Sequence, residues 1–285
     1  MLAWLLVLLS SGTSLIEGTL IKKYNAKHTK GGFIFTAMVS LFSMIFFVLT
    51  DKGGLVFPAE MIPLGIISGV LYCSASVLTF IALGCGPFTL SMLILSYGGV
   101  FSICYGIFFL NDEIDVFTII GIALIFVSLF LNRGEKKSGE KRASLKWIIC
   151  IGISFFGSGM FSVLQKIQQI RFENKVTNEY MIVTLGFSAV TLFIIGIIMD
   201  CKYVGYILRH GGIYSAIAGI SNGATNFLSL TANTLLPLAV VAPIKAGTKI
   251  VLSFIVSVTI FKETFLKRQI FGVILGAAAL VLLNL

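Results

Sequence analysis

Long apolar segments separated by short polar or charged turns follow one another along nearly the whole chain. Segments such as 119–131 are apolar on every face, whereas the strands of an outer-membrane barrel alternate apolar and polar positions. Helices suit such segments because they satisfy their own backbone hydrogen bonds inside a bilayer. The pattern predicts ten transmembrane helices, at 2–21, 31–49, 61–83, 88–109, 115–132, 147–169, 179–199, 211–235, 237–260 and 266–284.

Composition supports a membrane protein. The chain is 57% hydrophobic and 12% charged, with a mean hydropathy of +1.02, whereas soluble domains contain about 25% charged residues. A bilayer core about 30 Å thick needs about 20 apolar residues per helix. Ten spans with short loops therefore account for all 285 residues. We predict an all-α integral protein of the cell membrane.

The two halves of the chain resemble each other after a shift of 150 residues. The shift places Gly69 on Gly219 and Pro87 on Pro237. Each half contains five predicted helices, an odd number, so the second half enters the membrane in the opposite sense. Inverted repeats recur in transporters, where a site at their interface is exposed to either side in turn.

We divide the chain into a first five-helix repeat at 1–132, a linker at 133–146 and a second five-helix repeat at 147–285. One side of the predicted bundle carries far more Lys and Arg than the other. The rich side holds Lys22, Lys23, Lys27, Lys30, Arg133, Lys136, Lys137, Lys141, Arg142, Lys146, Lys202, Arg209, Lys262, Lys267 and Arg268. The poor side holds Lys52, Lys166, Arg171 and Lys175. The positive-inside rule puts the linker in the cytoplasm and both termini outside.

The remaining chemistry argues against several function classes. The net charge of +9 arises from loops beside the spans, so it sets orientation and does not indicate nucleic-acid binding. The five cysteines form no CxxC pair, no HExxH motif is present, and we expect both histidines, His28 and His210, in loops. The sequence predicts no metal, no cofactor and no enzymatic activity. Ten fused helices should suffice as a monomer.

Helices 3 to 5 carry a family resemblance. Within 75–132, Pro87 in a very short loop, Gly98 and Gly99, and the acidic loop at 111–115 resemble the last three helices of small multidrug resistance proteins. The second half repeats the pattern at 261–264 and 269–272. The chain as a whole resembles an EamA-like member of the drug/metabolite transporter superfamily, in which two such halves are fused.

This resemblance implies ten helices and secondary transport without ATP. It also implies a central cavity lined mainly by helices 1, 3, 4, 6, 8 and 9. Members of the family often keep their termini in the cytoplasm. The orientation that the charge distribution predicts here differs from that habit.

Two lysines lie inside a predicted span. Lys245 and Lys249 are one turn apart on helix 9, shortly after Pro243, and therefore share a face. A charge inside a bilayer costs at least a few kcal/mol, so each is a functional candidate. Facing a cavity, they would bind a carboxylate or a phosphate. Alternatively, they pair with polar groups to hold helices together, or Lys245 extends to the membrane surface.

Glu17 is the carboxylate well inside predicted helix 1. In small multidrug resistance proteins, a first-helix carboxylate exchanges protons for cationic drugs, which makes Glu17 a coupling candidate. In that family the acid lies three residues before a Gly-Thr pair. The equivalent position in this chain is Leu15, whereas Glu17 directly precedes Gly18. The alternative is an interfacial glutamate satisfied by the lysines that follow helix 1.

Amide and aromatic side chains complete the candidate site. Asn222 and Asn226 share one face of helix 8, where they line a cavity or bridge helices. Interhelical hydrogen bonds contribute only ~0.6 kcal/mol on average, so stability alone is a weak reason for them. Tyr72 and Tyr97, on helices 3 and 4, offer hydroxyl or aromatic contacts to a substrate or serve as packing residues.

Glycine pairs spaced four residues apart recur on three of the predicted helices. They are Gly65 and Gly69, Gly219 and Gly223, and Gly272 and Gly276. This spacing predicts close helix approach at these places.

These features predict a secondary transporter that moves a small polar or anionic metabolite by alternating access. Lys249 and Lys245 would attract the anion, and Asn222 and Asn226 would add hydrogen bonds. The alternative within transport is proton-coupled export of cationic drugs through Glu17, which the lysines disfavour by repulsion. An alternative of another class is a non-transporting scaffold or lipid-flipping partner. The expected partners are the small-molecule substrate, the bilayer, and protons or a counter-substrate.

Overall fold

The computed structural model describes residues 2–28, 31–51, 53–109, 116–131, 144–235, 238–262 and 266–282. Within these residues the chain folds into helices joined by turns, without a strand. The α-helices are α1 (Leu2–Lys27), α2 (Gly32–Thr50), α3 (Met61–Cys85), α4 (Phe88–Ser96), α5 (Gly99–Phe109), α6 (Val116–Leu131), α7 (Leu145–Arg171), α8 (Thr177–Asp200), α9 (Val204–Leu235), α10 (Leu238–Thr259) and α11 (Lys267–Leu282). The predicted all-helical class is confirmed for this part of the chain.

Pro237, the acidic loop at 111–115 and the linker stretch at 133–142 lie outside the described residues. Of the motif at 261–264, only its first two residues are described.

Within the described part of the chain, five helices are long and apolar enough to cross a bilayer. They are Trp4–Lys27, Gly32–Thr50, Met61–Cys85, Leu145–Arg171 and Thr177–Met199. Large apolar side chains cover the outside of the bundle, for example Leu49, Ile198 and Ile213, which are all more than 70% exposed. Buried positions, by contrast, include many serines, which are typical of helix contacts in membranes. The fold is that of a membrane-embedded helical protein.

The predicted continuous helix at 88–109 is wrong in one respect, because a turn at Tyr97 and Gly98 divides it into α4 and α5. The amide of Gly98 donates to the carbonyl of Leu95 at 3.1 Å, and the amide of Phe101 donates to the carbonyl of Gly98 at 3.1 Å. These are the tighter three-residue hydrogen bonds of a 3₁₀ turn. Glycine favours the helical state less than other residues do, and here it occupies the turn beside α7.

The expected loop position of His210 is also wrong, since α9 begins at Val204 and includes it, while α1 continues to Lys27. The extension of α1, at 22–27, is mostly polar, so apolar patterning ended this helix too soon. The extension of α9, at 204–210, contains Arg209 and His210, which set the predicted start of the helix too late. Both extensions therefore lie outside the predicted apolar spans. They meet beyond the apolar segments, where the hydroxyl of Tyr206 hydrogen-bonds Nδ1 of His28 at 2.7 Å. The ring of Tyr206 stacks on that of His210 at 4.4 Å. The end of α1 and the start of α9 therefore lie side by side.

Helix contacts in the centre of the bundle position the candidate site. α1 packs against α9, α3 packs against α7, and α10 packs against α1 and α4. The glycine pairs allow part of this packing: Gly65 and Gly69 face α8, and Gly219 and Gly223 face α2. A Cβ added to Gly219 would lie only 2.5 Å from the carbonyl oxygen of Val39. The predicted close approach is confirmed for these two pairs.

Candidate functional site

A cavity of about 290 Å³ lies between α1, α2, α3, α4, α7, α9 and α10. Predicted helices 6, 8 and 9 correspond to α7, α9 and α10. The cavity is therefore lined by the helices that the family resemblance implies, with the addition of α2. Its wall combines apolar and polar patches. The apolar patch includes Phe35, Val39, Leu83, Met92 and Phe161. The hydroxyl patch includes Ser76, Thr79, Ser96, Ser158 and Ser162. Such a space suits a small molecule with both an apolar body and polar groups.

Asn222, on α9, is the centre of a hydrogen-bond network in this cavity. Its Oδ1 accepts from the hydroxyl of Tyr72 at 2.9 Å and from the hydroxyl of Ser43 at 3.0 Å. Its Nδ2 donates to Oε1 of Glu17 at 3.0 Å. One amide thus connects α1, α2 and α3 to α9. Asn222 is buried, with 8% of its surface exposed, so the network is held in a fixed arrangement.

Asn226 extends this network toward α7. Its Nδ2 donates to the backbone carbonyl of Asn222 at 3.0 Å, and its Oδ1 accepts from Nε2 of Gln165 at 3.3 Å. Both predicted asparagines therefore line the cavity and also bridge helices. Ser43 and Gln165 are not among the predicted site residues, because a serine or glutamine within a helix does not reveal its partner. For Gln165 the available signal is in the sequence, where its depth in predicted helix 6 is comparable to that of Glu17 in predicted helix 1.

Glu17 faces the cavity rather than Lys22 and Lys23, which lie closer to the end of α1. Its carboxylate accepts the hydrogen bond from Asn222, and it interacts electrostatically with Lys249 and Lys245. Lys22 lies elsewhere, with its ammonium 4.9 Å from the ring centre of Phe261. Glu17 therefore lies in the cavity, although its position in the sequence differs from the one typical of small multidrug resistance proteins.

Lys245 and Lys249, which by their spacing share one face of the helix, both line the cavity from α10. The ammonium of Lys245 donates to the hydroxyl of Ser229 on α9 at 2.6 Å. Lys249 interacts electrostatically with Glu17, but it has no hydrogen-bond or ion-pair partner among the described residues. The two cations thus differ, since one is tied to a neighbouring helix and the other is available to a molecule in the cavity.

Tyr97 lies outside the cavity, unlike Tyr72. Its hydroxyl hydrogen-bonds the hydroxyl of Ser128 on α6 at 2.8 Å, and Ser128 donates to the carbonyl of Gly272 on α11 at 2.6 Å. Only 2% of the Tyr97 surface is exposed. It joins α4 to the pair of helices α6 and α11, so of the predicted site residues it alone is separated from the others.

Comparison with known proteins characterises the fold. No protein-family model and no curated protein sequence matches the chain. Solved structures do match it; one, described only as the crystal structure of a protein, has 15% sequence identity and a TM-score of 0.57. The match covers 96% of this chain and 98% of the other. At this identity, the likeness shows a shared fold over nearly the full length and nothing about activity.

Proposed function

We propose that this protein is a secondary transporter that carries a small polar or anionic metabolite across the cell membrane by alternating access. The observation that carries the proposal is Lys249, whose ammonium faces the cavity without a hydrogen-bond or ion-pair partner among the described residues. Burying such a charge is costly, and a bound anion offsets the cost. Lys245 adds a second positive charge, and the network around Asn222 and Asn226 adds hydrogen-bonding groups.

The proposal includes ten transmembrane helices in two inverted repeats, as in EamA-like members of the drug/metabolite transporter superfamily. Helix packing supports it. In the proposed correspondence α1 matches α7 and α3 matches α9, while α1 packs on α9 and α3 packs on α7. Under this correspondence, the contact between α1 and α9 in the bundle is the counterpart of the contact between α7 and α3. α2 packs on α8, its own counterpart.

Two glycine contacts give further support to the duplication. A Cβ added to Gly69 would lie 3.0 Å from the carbonyl oxygen of Thr184 on α8, and one added to Gly219 would lie 2.5 Å from that of Val39 on α2. The two glycines are the pair aligned by the shift of 150 residues. Equivalent positions thus make equivalent backbone approaches in both halves.

The orientation proposed from charge places the central linker in the cytoplasm and both termini outside. The contact between Tyr206 and His28 supports the grouping of positive residues on which this orientation rests, because it brings together the end of α1 and the start of α9. Lys23 and Lys27 at one of these ends, and Arg209 at the other, then face the same side of the membrane. That is the arrangement the positive-inside rule requires.

The test is uptake into proteoliposomes of three labelled anions: benzenesulfonate, glycerol 3-phosphate and succinate. We expect uptake of at least one of them, and Lys249→Ala should reduce its rate at least about tenfold by removing the ammonium that faces the cavity. Lys175→Ala is the matched control, because Lys175 is exposed and paired with Glu173 at the surface. If Lys249→Ala leaves the uptake of every anion unchanged, the proposal fails.

A second candidate is proton-coupled export of cationic drugs, favoured by the position of Glu17 in the cavity. The same proteoliposomes test it with tetraphenylphosphonium. If Glu17→Gln abolishes transport of this cation and Lys249→Ala leaves it intact, this candidate is favoured over the anion carrier.

A non-transporting scaffold or lipid-flipping partner is the alternative of another class. It predicts no uptake of any of these solutes, together with stable association in a mild detergent. A transporter with two fused halves should instead be a monomer under those conditions.

A further inference from the structure

The cavity contains a carboxylate in the same space as its two ammonium groups. Glu17 on α1 interacts electrostatically with both Lys245 and Lys249 on α10, although it pairs directly with neither. Its hydrogen bond comes from Asn222 and engages Oε1. Oε2 therefore remains for another interaction. The carboxylate attracts the two ammonium groups electrostatically across the cavity.

Few other titratable groups face Glu17. Among the described lining residues, α10 presents Lys245 and Lys249, and α3 presents Tyr72. α2, α4, α7 and α9 present only neutral side chains to the cavity. The balance of charge in this space is thus set by one acid and two bases, together with any molecule that enters.

We propose that Glu17 is a built-in counter-anion that takes up a proton when an anionic substrate binds the lysines, so that one anion and one proton cross the membrane together. This inference rests on the proposed function. Without a substrate, the two ammonium groups stabilise the Glu17 carboxylate. A bound anion cancels that attraction and repels the carboxylate. Protonation then removes the repulsion.

The step balances in atoms and charge. An O–H bond forms at Oε2 of Glu17, the oxygen that Asn222 does not engage, and water on the side to which the cavity is open supplies the proton. One monovalent anion and one proton leave the net charge of the cavity unchanged. When the anion leaves on the other side, the lysines again favour the carboxylate, and the proton departs to water there.

Thermodynamic linkage determines whether the affinity for the anion rises or falls with pH. If the anion promotes protonation of Glu17, then protonation of Glu17 raises the affinity for the anion by the same factor. Anion affinity should therefore rise as the pH falls. Couplings between sites are commonly about 5- to 150-fold, and we expect roughly tenfold here.

The test uses the same three anions in proteoliposomes that contain the pH-sensitive dye pyranine. Benzenesulfonate is the sharpest probe, because it keeps its charge at every accessible pH, so a co-transported proton must reside on the protein. With a more acidic medium outside, uptake should accelerate severalfold and the interior should acidify with it. Glu17→Gln keeps an oxygen that accepts from Asn222 but removes the titratable group, so uptake should lose its dependence on the gradient. Glu60→Gln is the matched control, since Glu60 is an exposed carboxylate that pairs with Arg171.

The outcomes separate this inference from the proposed function. Uptake that neither responds to the gradient nor moves protons overturns the coupling and leaves the anion carrier standing. Gradient dependence that persists in Glu17→Gln also overturns it. Failure of the unmodified protein to take up any of the three anions overturns both. The proton measurement on the unmodified protein needs no variant, so a poorly folding Glu17→Gln would not leave the inference untested.

Discussion

The hydroxyl of Tyr72 donates to Oδ1 of Asn222 at 2.9 Å, and the two residues are separated by 150 positions. That separation equals the shift that aligns the two halves of the chain. Residues that correspond in the proposed duplication therefore touch each other in the middle of the bundle. In the proposed arrangement of inverted repeats, such a contact would lie close to the axis that relates them, at the interface of the two halves.

Replacing Asn222 with alanine should abolish uptake and destabilise the protein by about 1–3 kcal/mol, because buried groups of Glu17, Tyr72 and Ser43 lose their common partner. Tyr72→Phe is the matched comparison. It removes one hydrogen bond and should cost only ~0.6 kcal/mol. Thermal unfolding in detergent and uptake in proteoliposomes measure the two effects. Equal destabilisation by both substitutions would contradict a central role for Asn222.

Lys249→Met should stabilise the protein while abolishing anion uptake. In the proposed ten-span arrangement Lys249 lies near the middle of its span, where a lysine costs about 2.5–3.5 kcal/mol, and it recovers little of this from direct partners in the described structure. Methionine keeps much of the length without the charge, so a gain of about 1–2 kcal/mol is expected. Lys245→Met should gain less, since its ammonium already bonds Ser229 at 2.6 Å. A loss of stability in Lys249→Met would mean that the lysine holds the bundle together.

The sequence located the helices well because apolar length is a direct requirement of the bilayer. It located the polar side chains on those helices less well. Tyr72 and Tyr97 both lie in apolar helices, yet one lines the cavity and the other packs against Ser128. In a helix that is apolar on every face, no amphipathic pattern reports which face turns inward. Glu17 shows the same limit, since its hydrogen bond with Asn222 depends on the rotation of α1 against α9.

Tyr97→Phe should therefore leave anion affinity unchanged, although the residue was a candidate for substrate contact. It should lower stability by about 0.5–1.5 kcal/mol, the usual net value of one hydrogen bond, because the bond between Ser128 and the end of α4 is lost. Uptake measured over a range of anion concentrations gives the affinity, and thermal unfolding gives the stability. A weaker affinity at unchanged stability would put Tyr97 back in the substrate site.

Glycine substitutions on α9 test whether close backbone packing holds the two halves together. Gly219→Ala should destabilise by about 1–3 kcal/mol, the usual cost of overpacking, because the added Cβ would lie 2.5 Å from the carbonyl oxygen of Val39. A backbone atom cannot swing aside as the tip of a side chain can, so α2 and α9 would have to separate. Gly212→Ala is the matched control on the same helix, since nothing lies within 4 Å of its added Cβ. It should be neutral or stabilise by up to about 1 kcal/mol through its better helix propensity. Thermal unfolding of the two variants in one detergent compares them directly, and similar effects would show that α2 and α9 are not in tight contact at Gly219.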